Sequence, residues 1–171
     1  MSFSTETFDF ITFETFSHAY PRSNEICYDV IRFKMPVQVA EIRIVPSSMM
    51  IDTMTGIRDG NTNPTEFSVQ FYINNINDET ATTFENLGRF DYDEKYNIDY
   101  KCNSKIWSDR LIVSGPYTSI SIAIFGSKNS KHLVFNNESG KETNKDLPLD
   151  FDPNSVTIDF SKMKLSSHRN V

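Results

Sequence analysis

The sequence predicts an all-β fold: an antiparallel β-sandwich of jelly-roll type with about eight strands. Three observations carry this. Apolar and polar residues alternate with period two in several short runs. Turn-forming residues separate those runs at intervals of roughly 8–15 residues. No segment keeps a 3.6-residue period over three turns. Strand order is not written in a sequence, so a barrel built from the same strands stays open.

The first run, Phe8 to Phe16, is rich in aromatics and Thr, with Ile11 and Phe13 on one face. A turn-like stretch, Ala19-Tyr-Pro-Arg-Ser-Asn24, leads to a strand from Ile26 to Phe33. Val37 to Val45 reads as the next strand. Pro36 before it suits a strand start or edge, where no N–H is needed. Residues 46–65 hold two prolines, two glycines and several small polar residues, so they form the longest loop. Met49, Met50, Ile51 and Met54 predict that part of this loop packs back on the domain.

Glu66 to Ile73 is the cleanest strand. Phe67, Val69, Phe71 and Ile73 alternate with Ser68, Gln70 and Tyr72, and Asn74-Asn75 ends it. Phe84 to Tyr92 is a strand interrupted by Gly88, which predicts a bulge or a close backbone approach. A short strand follows at Tyr96 to Tyr100. Asp109 to Gly126 then gives two strands around a Gly115-Pro116 turn, with Ile120, Ile122 and Ile124 on one face. The domain is expected to span residues 1–127 and a polar connector residues 128–147. The last part, 148–171, holds alternating Val156, Ile158 and Phe160 as an extra edge strand and then a basic tail.

Charge limits the partners. The chain carries −6 overall, but residues 161–171 hold Lys162, Lys164, Arg169 and no acid. The rest therefore has 14 cations against 23 acids. A body this acidic is a poor general binder of phosphate backbones, so direct RNA contact is expected only through the tail. Two cysteines, Cys27 and Cys102, do not make a disulfide framework. The start lacks a basic region and an apolar core, so secretion is not expected. No apolar run approaches a membrane span, so no membrane partner is expected.

Catalytic and metal chemistry find little support. His18, His132 and His168 form no metal pair, and the cysteines lack a Cys-x-x-Cys spacing. No Gly-x-Ser-x-Gly elbow or phosphate loop is present. Asp91, Asp93 and Glu94 bring carboxylates together, but without the glycine and distal glutamate of a calcium loop, and a solvated turn is the simpler reading. No enzyme and no cofactor are expected. The candidate residues are therefore partner-binding ones. They are Glu41 and Arg43 on an outward strand face, Asn74 and Asn75 at a strand end, Trp107, and Asp109, Arg110, Pro116 and Tyr117 around the last turn. Tyr72, on a polar face, is open to either anchoring or packing.

The order of residues adds a resemblance. Ile11-Thr-Phe-Glu-Thr-Phe-Ser-His18, Asp29-Val-Ile-Arg-Phe33, Glu41-Ile-Arg-Ile-Val-Pro46 and Phe67-Ser-Val-Gln-Phe-Tyr-Ile-Asn-Asn75 follow one another as blocks. Phe84-Glu-Asn-Leu-Gly88 with Tyr92-Asp93, and Ser108 to Tyr117 with Ile122-Ala-Ile-Phe-Gly126, complete the series. In this order they resemble the N-terminal domain of the virilizer family, over about residues 10–127. Three positions depart from its pattern: Arg110 stands for a glycine, Ser114 for an arginine and Pro116 for a tryptophan.

The resemblance implies a non-catalytic, nuclear scaffold of the complex that methylates adenosine N6 in messenger RNA, linked to splicing. It implies as partners the protein subunits of such an RNA-methylation or RNA-processing complex. The alternative from a different class is a carbohydrate-type, galactose-binding-domain-like jelly roll, with residues 46–65 and the region of Trp107 as its site.

Overall fold

The computed structural model describes residues 7–19, 25–78, 84–129 and 164–165. Ten strands run in the order β1 (Asp9–Ser17), β2 (Cys27–Ile44), β3 (Met50–Thr53), β4 (Gly56–Asp59) and β5 (Glu66–Asn74). β6 (Phe84–Asp93), β7 (Asp99–Lys101), β8 (Ser108–Gly115), β9 (Ser119–Lys128) and β10 (Lys164–Leu165) follow. The expected strand at 156–160 and the polar connector from 130 onward lie outside the described residues.

The architecture is an all-β, sandwich-like arrangement in which β2 serves both layers. Its first half pairs antiparallel with β8, from Cys27↔Gly115 to Arg32↔Arg110. β8 pairs with β5 and β5 with β6, so one layer reads β2-β8-β5-β6. The second half of β2 pairs with β9, from Val37↔Lys128 to Ile44↔Ile122, and β9 pairs with β1. β7 adds on its other side at Glu41 to Arg43, giving a layer β1-β9-β2-β7. β3 and β4 form a separate hairpin.

Two strands expected from the sequence are thus one. β2 runs through Pro36 because the pairing with β8 shifts register between Arg32 and Val37. Proline has no N–H to give a ladder, and such an irregular position asks for none. Its carbonyl is still used, accepting from the Asn129 N–H at 3.0 Å. Likewise β8 and β9, adjacent in sequence, do not pair with each other. The short link at Pro116–Thr118 carries the chain from one layer to the other.

The core lies where period two placed it. Phe67, Val69, Phe71 and Ile73 from β5 meet Ile42, Ile44, Ile120, Ile122 and Ile124 from the opposite layer in one buried cluster. In β1 the expectation fails at one residue. A register shift between Phe10 and Thr12 makes Ile11 the extra residue. Ile11 packs on the core, whereas Phe13 falls opposite Ala123, on the face away from Ile122 and Ile124. Part of the 46–65 region packs back as expected, but through Thr53, Gly60 and Thr62 rather than through its methionines. It is held by backbone bonds, such as the Gly60 N–H to the Met49 carbonyl at 2.9 Å. Met50 and Met54 are 67% and 86% exposed rather than packed back.

Gly88 sits at the expected bulge in β6. The pairing jumps from Phe71↔Gly88 to Tyr72↔Asn86, leaving Leu87 extra. Tyr100 of β7 crosses from the other layer and donates its hydroxyl to the Leu87 carbonyl at 2.9 Å, while its ring stacks on Phe71 at 5.6 Å. Gly88 has φ +145°, and a Cβ there would lie 1.8 Å from the Tyr100 oxygen. Gly88→Ala is therefore expected to lower the free energy of unfolding by about 1–3 kcal/mol, read from the urea denaturation midpoint. Tyr100→Phe, which keeps the ring, should cost only about 1 kcal/mol.

Candidate functional site

The nine candidate residues fall in three places. Glu41 and Arg43 lie on the outer face of the β1-β9-β2-β7 layer. Arg43 donates to Glu41 at 3.0 Å and to Asp99, and its guanidinium lies over the Phe125 ring at 5.3 Å. Phe125 meets Phe10 edge-on at 5.8 Å. Burial works against the Arg43 charge, but the bonds to Asp99 and Glu41 outweigh it and hold its pKa above the usual value. This face therefore offers a half-buried cation already neutralised from within the chain.

The second place is the end of β5 beside the start of β8. Asn74 is buried, and its side-chain oxygen accepts from the Ser108 hydroxyl at 2.7 Å and from the Arg110 N–H at 3.0 Å. Its amide donates to Asp109 at 2.6 Å. The Ile76 N–H donates to the Trp107 carbonyl at 3.0 Å, and Asp109 lies 3.5 Å from Arg110. Asn75 is half-buried, its amide 3.4 Å from Glu85. Asn74 is thus a structural tie rather than a contact residue, because every polar atom of its side chain is engaged inside the fold. Trp107, Asp109 and Arg110 are half-buried around it.

The third place is the β8–β9 link. Pro116 is exposed, but Tyr117 is fully buried and is removed from the partner-binding set. A tyrosine this deep needs a partner for its hydroxyl. It donates to Asp29 Oδ2 at 2.8 Å, and His18 Nε2 lies 2.8 Å from the same oxygen. The Asp29 side chain is only 1% exposed. Cys27 Sγ donates to the Tyr117 carbonyl at 3.3 Å. Burial, followed by the neighbouring Asp29, raises the Tyr117 pKa well above its ordinary value. Sequence reading missed this cluster because its members are 88 and 11 residues apart in the chain.

None of these groups is poised for catalysis. Burial raises the Cys27 and Cys102 thiols to about 11, so both stay protonated at neutral pH. Among the described residues, no group of three His, Cys, Asp or Glu could hold a metal ion. Asp93 instead caps its own turn, accepting from the Lys95 and Tyr96 N–H groups at 2.8 and 3.2 Å. Asp91 bonds Ser68 across the strands. Tyr72 packs with Tyr28, Val30, Phe84 and Ile112 on the outer face of its layer.

Comparison with known proteins decides the family. Residues 6–150 match the family described as Virilizer, N-terminal. The chain belongs to that family. Protein virilizer of Drosophila melanogaster is 35% identical over 121 residues, covering 69% of this chain and 6% of that protein. The virilizer homolog of Mus musculus is 34% identical over 119 residues, covering 67% and 6%. The chain thus spans a small fraction of the length of the virilizer proteins it matches. A solved structure of the C-terminal domain of a chitobiase from Bacteroides fragilis aligns at 14% identity and a TM-score of 0.41, covering 71% of this chain and 95% of that one.

In this virilizer-family domain, Tyr117→Phe is expected to keep the packing and lose the bond to Asp29. Bonds to charged groups contribute about 1.5–3 kcal/mol, and a drop of that size in a denaturation curve checks it. The thiols give a second outcome. Their pKa is raised from 9.0 to about 11, so their contribution is complete below pH 9 and is lost as pH rises toward 11. Stability should fall across that window, and iodoacetamide at pH 8 should label the folded protein far more slowly than the unfolded one.

Proposed function

We propose that this domain is a non-catalytic protein-interaction module of a nuclear scaffold that serves the N6-methylation of adenosine in messenger RNA. The observation that carries the reading is the family match across residues 6–150, reinforced by four relatives from insects and mammals. The chemistry agrees with it. The side chains that could have acted on a substrate, His18, Asp29, Tyr117 and the two thiols, are spent on holding strands together.

In this reading the partners are protein subunits of the methylation or splicing machinery, and the protein works in the nucleus. The exposed or half-exposed candidates Glu41, Arg43, Asn75, Trp107, Asp109, Arg110 and Pro116 remain the contact residues proposed from sequence. Any RNA contact belongs to the basic tail. The jelly-roll form of the sandwich is part of the same proposal.

Affinity capture from nuclear extract with the folded domain as bait should recover subunits of the methylation complex or splicing factors. Recovery of none, with the bait shown folded by its denaturation curve, overturns the reading.

A further inference from the structure

Among the described residues the sandwich is open along one side. β1 pairs only with β9 and leaves its other edge without a described strand. On β2, β8 occupies one edge of the first half, and β9 takes the opposite edge only from Val37 onward. Among the described residues no strand pairs with that opposite edge between Val30 and Met35. A cleft of about 340 Å³ lies between the two edges. Consecutive residues of each strand line it, Arg32 to Met35 and Phe10 to Glu14. In a strand, successive side chains point to opposite faces, so consecutive lining means that the backbone edges themselves face the cleft.

Its chemistry is specific. Ile11 and Phe33, both packed against the core, and the buried Val37 give an apolar floor. Arg32, Lys34, Arg58 and Lys128 line it against one acid, Glu14. The chain as a whole carries −6. All four cations are exposed, and none lies within ion-pair distance of a carboxylate among the described residues. The β3–β4 hairpin that supplies Arg58 also carries Met54 and Ile57, 86% and 68% exposed. β10 already adds to this edge of β2, in parallel, at Cys27 and Tyr28.

We propose that this cleft is a strand-addition site for an extended acidic peptide of a partner protein, with apolar residues at alternate positions. Unpaired strand edges are templates for such a strand. Its backbone would bond the β2 or β1 edge, its apolar side chains would meet the floor, and its carboxylates would meet the four cations. A single-stranded nucleic acid would use the cations and stack on the phenylalanines, but would leave the strand edges without partners. The chain's own tail beyond Leu165 has no acid, so its charge is wrong for the cleft. Residues 146–160, with Asp146, Asp150, Asp152 and Asp159, match it in charge. Peptide binding that appears only when they are removed would give the cleft to them and overturn the assignment to a partner. The assignment deepens the interaction-module reading and rests on it.

The test uses the full chain and fluorescence anisotropy. The probe is a labelled peptide of about ten residues alternating Glu and Val, long enough to span the open edge. Comparison probes are the same peptide with Lys for Glu, an N-methylated copy that cannot pair, and an oligouridine of similar length. The acidic peptide should bind, and the Lys and N-methylated copies should not. The double variant Arg32→Glu, Lys34→Glu should weaken binding about tenfold or more, in the manner of charged interface pairs. Lys95→Glu, on a remote turn, should leave it unchanged. Should the double variant unfold, Arg58→Glu on the hairpin replaces it with the same expectation. Equal binding of the Lys peptide, indifference to the cleft substitutions, or tighter binding of oligouridine overturns the proposal. Absence of peptide binding while complex subunits are still captured removes the cleft assignment alone; loss of both removes the module reading as well.

Discussion

Asp29 stands on the first half of β2 with almost no water around its side chain, and two groups from elsewhere reach it. A buried carboxylate is tolerable only when it is hydrogen-bonded, and removing one partner of such a group is costly. His18 comes from the residue that follows β1, and Tyr117 from the link between β8 and β9. The two bonds therefore pin the end of one layer, the crossover between layers and the strand common to both at a single point. The apolar core supplies most of the favourable free energy, but it is not directional. The Asp29 cluster adds direction: it fixes which way the 116–118 link must turn, and so which residue of that link is inside.

The sharing of β2 has a second consequence. A strand that changes layers must leave one neighbour before it meets the next. Between Arg32 and Val37 the pairing with β8 lapses, and on the other edge the pairing with β9 has not yet begun. Among the described residues this stretch of edge is therefore open, as the change of layers leaves it. Soluble proteins blunt such edges with charge, particularly lysine, and Arg32, Lys34 and Lys128 do that here. The same charges that keep another neutral edge away select an acidic strand. Protection and recognition are one set of side chains.

Most of the fold was legible because period two survives in single strands. Val69, Phe71 and Ile73 were placed on the correct face by alternation alone. Failures came where one residue broke the period. The extra Ile11 reversed the facing of Phe13, and the lapse at Pro36 disguised one strand as two. The hairpin in 50–59 was hidden because its methionines look like core residues, whereas Met50 and Met54 are exposed. The site was less legible. Burial of Asn74 and Tyr117 depends on partners 34 or more residues away, and no local pattern records them. The cleft is a property of two edges, which sequence does not show at all.

The departures from the virilizer pattern take on meaning in this geometry. Residues 110, 112 and 114 alternate onto the outer face of β8, and Ser114 lies between Tyr28 and Gln70 in the ladder. An arginine at 114 would stand there, beside the apolar cluster of Tyr28, Val30, Tyr72 and Ile112. This chain has serine there and places an arginine at 110 instead, opposite Arg32. Four residues along a strand is about 13 Å. The arginine at 110 thus stands that distance from position 114, beside the residue that lines the cleft. Two arginines face to face repel, and the 3.5 Å approach of Asp109 to Arg110 offsets part of that. Pro116 is exposed at the opposite end of β8. The core half of the segment, Tyr117 and Ile120 to Ile124, keeps the family's fold. On its surface half, Arg110 lies across the ladder from Arg32, the β2 residue that lines the cleft.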